Sequence, residues 1–181
     1  MQILGISGSI RSGSYNRALL VAAAGLMPDG DHLAIEGLQK IPLYDDELAK
    51  EGPPGAVIAF REHIAQSDGL LIASPEYNYS ISGVLKNALD WAGTGTLGNL
   101  LAEKTTAIMG ASRSIFGTVR AQLHLRQVLQ AANANVIRKP EVYIPKAQDV
   151  ITGDGTIHDE RTLEKIRTLL EALIAELSAH P

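Results

Sequence analysis

Ser7, Gly8, Ser9, Arg11, Ser12, Gly13, Ser14 and Asn16 crowd into ten positions between an apolar run (Ile3, Leu4, Ile6) and an alanine- and leucine-rich segment. Chemistry of that kind suits an anion. Glycines let backbone amides approach closely, hydroxyls add donors, and Arg11 adds a planar charged fork. The helix that follows turns its positive end toward the same place. The stretch therefore reads as strand, phosphate-holding loop and helix. Named phosphate loops do not fit it: there is no G-x-x-x-x-G-K-[ST], and the Gly5 to Gly8 spacing is not G-x-G-x-x-G. A thiolate nucleophile is excluded because the chain has no cysteine. What remains is a non-covalent holder of a terminal phosphate.

Two further loops share this polar character. Ser74-Pro75-Glu76-Tyr77-Asn78-Tyr79-Ser80 follows the continuous apolar run Gly69 to Ala73, and Gly110 to Gly117 follows Thr105 to Met109. The first of these runs reads as a strand covered on both faces, and Thr105 to Met109 as the fourth strand. Helices are expected from Asn16, as cap, to about Met27, over 56–66, over 84–92, from Thr118 to about Ala132, and along the terminal stripe of Leu163, Ile166, Leu170, Leu173, Ile174 and Leu177. Leu33 to Leu38 is an edge strand, and a fifth extended segment over 135–144 is interrupted near Pro140. Asp45, Asp46 and Glu47 read as a solvated loop, and Gly93 to Gly98 as a plain connection, with a lid as the other reading. Strand–helix alternation makes this an α/β protein: a five-stranded parallel sheet, order 2-1-3-4-5, with helices on both faces and residues 1–181 as one domain. In such a sheet a ligand sits beyond the carboxyl ends of strands 1 and 3, where winding reverses. The three loops after strands 1, 3 and 4 are expected to meet there.

Composition narrows the function classes. With 45% hydrophobic and 20% charged residues, a chain of 181 residues can bury a core without disulfides or metals. A net charge of -4 with scattered lysines and arginines offers no stripe for nucleic acid. No apolar stretch approaches the roughly 18 residues of a spanning helix, and no leader-like segment opens the chain, so a cytoplasmic protein without membrane association is expected. The histidines at 32, 63, 124, 158 and 180 lack paired metal spacing.

The strings GISGSIRSGSYNRAL, SPEYNYSISGVLKNALDW and GASRSIFGTVRAQLHLRQVL resemble the NADPH-dependent FMN reductase family of flavodoxin-like proteins, near its quinone- and chromate-reducing members, up to about Tyr143. The resemblance implies FMN as cofactor, NADPH or NADH as electron donor, and a small acceptor such as a quinone, chromate or free flavin. It implies that Ser9, Arg11, Ser14 and Asn16 hold the FMN phosphate with Tyr15 alongside, that Pro75, Glu76, Tyr77 and Asn78 border the isoalloxazine ring, and that Ser112 contacts the flavin from the third loop. Tyr79 is expected instead to pack the strand–helix corner. The family also implies a homodimer or homotetramer, with the helix carrying Gln122, Arg126 and Gln130 on a polar face as either interface or solvated surface. Ser82 stands where the family commonly has proline, which is expected to loosen the second loop. Arg113-Ser114 replaces a Pro-Gly-like pair, and Arg113 becomes a candidate for recognising the 2'-phosphate of NADPH. A flavodoxin-like electron carrier serving protein partners is the alternative reading.

Overall fold

In the computed structural model, which describes residues 1–179, Gln2–Ser7 (β1) buries successive side chains on opposite faces. Ile3 joins one apolar cluster, and Leu4 and Ile6 join another. The same division holds in Gly69–Ala73 (β3), where Leu71 and Ala73 face one way and Leu70 and Ile72 the other. With both faces covered, an unbroken apolar run is the sequence a central strand requires. Tyr15–Gly25 (α1) and Glu160–Ala179 (α6) cover the first face. Gly55–Gln66 (α3), Gly83–Gly93 (α4) and Val119–Ala131 (α5) cover the second. Each fully buried leucine or isoleucine contributes ~1.5–3 kcal/mol, so the two clusters hold the sheet rigid beneath its loops.

With His32–Glu36 (β2) on one edge, Thr105–Ala111 (β4) beside β3 and Asn135–Val136 (β5) beside β4, the sheet is all parallel in the order β2-β1-β3-β4-β5. The expected segment over 135–144 divides into Asn135–Val136 (β5) and Val142–Ile144 (β6), both paired with β4: Thr105 faces Asn135, and Met109 faces Val142. Pro140 lies in the gap, where its missing N–H removes a ladder donor.

Several local expectations are corrected. Ser14, not Asn16, caps α1, its hydroxyl accepting from the Arg17 N–H at 3.2 Å. The acids at 45–47 are not a plain loop: Asp45 caps Asp46–Glu51 (α2), accepting from Glu47 N–H at 2.8 Å. Acids crowd a helix start because they complement its positive end. Gln122 does not lie on a solvated face either. It is fully buried, and its Nε2 donates to the Val142 carbonyl at 2.9 Å.

Gly93 to Gly98 contains a single 3-10 turn, Gly95–Leu97, beyond the C-terminus of α4. Arg61 fastens it: Nη1 donates to the carbonyls of Trp91 (2.6 Å) and Ala92 (3.1 Å), and Nη2 to those of Leu97 (2.5 Å) and Gly98 (3.1 Å). One guanidinium thus joins the last turn of α4 to the 3-10 turn, sharing the Ala92 carbonyl with the Leu100 N–H. Arg61→Met removes those donors and is expected to cost about 1–2 kcal/mol, read by urea denaturation, while ligand binding at the opposite end of α4 is unchanged.

Candidate functional site

The three polar loops meet at the carboxyl ends of β1, β3 and β4 and enclose a cleft of about 590 Å³. Glycines permit the approach. The Gly8 N–H donates to the Ala73 carbonyl at 2.8 Å, and a Cβ on Gly8 would stand 2.9 Å from Pro75 Cδ. A Cβ on Gly110 would stand 2.4 Å from the Ser74 carbonyl oxygen and 2.2 Å from Thr118 Oγ1. Side-chain ties then lock the loops in pairs. Asn16, buried, donates from Nδ2 to the Ala111 carbonyl at 3.1 Å and accepts at Oδ1 from the Ala111 N–H at 2.9 Å, joining the first loop to β4.

Ser82 ties the first loop to the second. Its hydroxyl donates to the Gly8 carbonyl and accepts from the Leu85 N–H at 3.3 Å, capping α4. The expected loosening at this position is therefore reversed: serine adds a bond that proline cannot make. Ser82→Ala is expected to cost about 1–2 kcal/mol of stability, measured by thermal unfolding.

The first loop is rich in uncommitted donors. The backbone N–H groups of Ile10 through Asn16 donate to no described residue. Arg11 curls over them, Nη2 donating to the Gly13 carbonyl at 2.8 Å, with its guanidinium carbon 5.4 Å from the Tyr15 ring centre. Unpaired amides, a helix N-terminus and a guanidinium in one concavity define an anion cradle.

The second and third loops form the opposite wall. Tyr77 and Ser80 exchange backbone hydrogen bonds of 2.9 and 3.0 Å across a tight turn, in which Asn78 (φ 48°) and Tyr79 (φ 71°) are left-handed. In the third loop Thr118 is also left-handed at φ 77°. Left-handed tyrosine and β-branched threonine are strained conformations that surrounding structure must hold. The Glu76 carboxylate supplies part of that hold. It accepts from the N–H groups of Arg120 (3.0 Å) and Ala121 (3.2 Å) at the start of α5, and from Arg120 Nε at 2.6 Å.

All the residues singled out in the sequence border this cleft: Ser9, Arg11, Ser14, Tyr15 and Asn16 from the first loop, Pro75, Glu76, Tyr77 and Asn78 from the second, and Ser112 from the third. Arg113 lies there too. Tyr79 departs from its expected role. It is 66% exposed and covers the Arg120 guanidinium at 3.8 Å instead of packing the corner. Arg120 is the residue sequence reasoning missed. Its guanidinium pairs with Glu76 and lies between Tyr79 and Phe116, the latter at 4.4 Å. Only its place three residues after a glycine-ended loop could have drawn attention to it. Among the described residues no three His, Asp or Glu side chains gather as metal ligands. His180 lies outside the described residues.

A parallel sheet of this order, with an anion cradle after its first strand and a broad cleft at the switch point, defines a flavodoxin-like nucleotide-binding protein. Residues 1–149 match the family model of NADPH-dependent FMN reductases. The chain is 47% identical over 173 residues to an NAD(P)H-dependent FMN reductase of Pseudomonas aeruginosa, covering 96% of this chain and 93% of that protein. It is 39% identical over 181 residues to an NAD(P)H:quinone oxidoreductase of Solanum tuberosum, covering 97% and 92%. Among solved structures, a flavoenzyme NAD(P)H:(acceptor) oxidoreductase of Paracoccus denitrificans superposes with a TM-score of 0.89 at 28% identity, covering 99% of this chain and 98% of that one. The chain belongs to the NADPH-dependent FMN reductase family. It is an FMN-dependent oxidoreductase that draws on NAD(P)H, and the electron-carrier alternative is set aside.

The residues present fit that cofactor. A phosphate dianion matches the unpaired amides and Arg11, and the cleft volume falls within the range of cofactor sites, roughly 300–1,000 Å³.

Proposed function

We propose that the cleft holds FMN with its phosphate in the first loop and its ring against the second, and that residues 1–181 act as one domain to do so. Ser9, Ser14, Arg11 and the amides of Ile10 to Asn16 receive the phosphate. Tyr15 braces Arg11. Asn16 takes part through its backbone N–H, because its side chain is committed to Ala111. Pro75, Glu76, Tyr77 and Asn78 border the ring, with Ser112 opposite. Glu76 contributes backbone here, since its carboxylate is engaged by Arg120 and Ala121. The observation that carries this reading is the run of unpaired amides under Arg11, of which those of Arg11, Ser14, Tyr15 and Asn16 belong to residues that line the cleft.

Bound there, the flavin supplies hydride acceptance from NAD(P)H and electron donation to a second substrate. The protein positions, donates hydrogen bonds and admits the substrates in turn at one open mouth. No acid or base side chain is assigned to the reaction. A quinone or free flavin is the acceptor best supported by the relatives, with chromate as a further small acceptor. No helix among the described residues is long and apolar enough to cross a membrane, and the proposed setting is the cytoplasm, with neither membrane nor nucleic acid as partner. Exposed Ile115 and Phe116 of the third loop and Leu123 of α5 support assembly as a homodimer or homotetramer.

The test is anaerobic titration of the FMN-loaded protein with NADPH, followed by a quinone. Loss of the visible flavin band on the first addition and its return on the second is the expected result. A band that NADPH leaves untouched would overturn the reading.

A further inference from the structure

A second cleft, of about 390 Å³, opens on the far side of the phosphate loop. Arg11, Ser14 and Tyr15 line both clefts and so form the wall between them. Beyond that wall the second cleft is bounded by Arg17 and Val21 of α1 and by the turn through Ile151 and Asp154. Its chemistry is divided. Val21, half exposed, is the apolar side chain the cleft presents, with Ile151 buried at its base, while the Arg17 guanidinium forms no ion pair or side-chain hydrogen bond with a described residue. Asp154 is the carboxylate that faces them, and its Oδ1 is already engaged by the Thr152 hydroxyl and the Thr156 N–H. With Arg11 assigned to the flavin phosphate, Arg17 is the guanidinium left to this cleft, facing a carboxylate already bonded within its own turn. An apolar surface beside a free guanidinium is the combination that a phosphorylated nucleoside asks for.

The geometry points to the second cleft as the seat of the adenosine half of the electron donor, with Arg17 as the residue that recognises the 2'-phosphate of NADPH. This rests on the flavin reading of the first cleft. A dinucleotide whose nicotinamide end enters the first cleft can pass over the Arg11–Tyr15 wall and lay its other end against Val21. The assignment competes with Arg113, which borders only the first cleft. Specificity for a phosphate belongs where a guanidinium has nothing else to bind, and a ribose hydroxyl in its place leaves Arg17 merely solvated.

The test uses FMN-loaded protein and 2',5'-ADP as a probe, with binding followed by calorimetry and donor preference by steady-state kinetics. Arg17→Ala is expected to weaken 2',5'-ADP binding and to raise KM for NADPH, each about 10-fold, with KM for NADH and flavin content unchanged. Val21→Glu, which places a carboxylate on the apolar wall, is expected to weaken the probe and both donors while flavin is retained. Unaltered probe binding and an unaltered NADPH-to-NADH ratio in Arg17→Ala would overturn the assignment, as would a shift of that ratio in Arg113→Ala but not in Arg17→Ala. Failure of the flavin reading is distinguishable, because it shows as protein that never takes up FMN.

Discussion

Arg11→Ala is expected to weaken FMN binding by about 10- to 150-fold, the equivalent of losing one charge-assisted hydrogen bond. The guanidinium is held above the loop by the Gly13 carbonyl and by the Tyr15 ring, so its direction is set before an anion arrives. Little ordering cost then accompanies binding. The effect is expected in affinity and not in folding, because Arg11 is exposed and its loss uncovers no buried group. Equilibrium dialysis of FMN against both proteins measures it directly. Equal retention by the variant would remove Arg11 from the phosphate site.

Gly110→Ala is expected to act through stability. Its new Cβ would stand 2.4 Å from the Ser74 carbonyl and 2.2 Å from Thr118 Oγ1. The first is backbone at the root of the second loop, and the second belongs to a buried residue already in a left-handed conformation, its hydroxyl accepting from Gln122 Nε2 at 3.1 Å. Neither neighbour can turn away cheaply. A cost of about 3 kcal/mol follows from overpacking of this kind, which for a chain of this length lowers Tm by roughly 10 °C. Differential scanning calorimetry reads that shift. Material that does fold is expected to bind FMN poorly, because the second and third loops must separate to admit the methyl group. An alanine variant with wild-type Tm and affinity would show that the close approach at this end of the sheet is not required.

Much of the arrangement is legible in the sequence because it depends on patterns local to each segment. The apolar run over 69–73 is a buried strand at the residues expected, and the Gly/Ser-rich stretch after β1 opens onto the cleft. The ties between segments left no such trace. Asn16 looks like a helix cap, yet its partner is Ala111, far away in the chain. Ser82 looks like the loss of a stiffening proline, yet it holds Gly8. Arg120 is one of two arginines on its helix until Glu76, Tyr79 and Phe116 are folded around it. Each of these is a polar side chain paired with a group that only the tertiary fold supplies. Local propensity records such a residue's type and says nothing of its partner. Asp45 is a different case: acids at a helix start are a readable signal, but the helix they begin is only Asp46–Glu51, too short for its periodicity to stand out.

The central claim is that the first loop grips a phosphate, and comparison of FMN with riboflavin tests it most directly, because the two ligands differ only there. Titration of the flavin-free protein by fluorescence quenching is expected to give an FMN affinity about 100-fold or more above that of riboflavin. Equal affinities for the two would mean that the unpaired amides of Ile10 to Asn16 and the Arg11 guanidinium serve some other ligand.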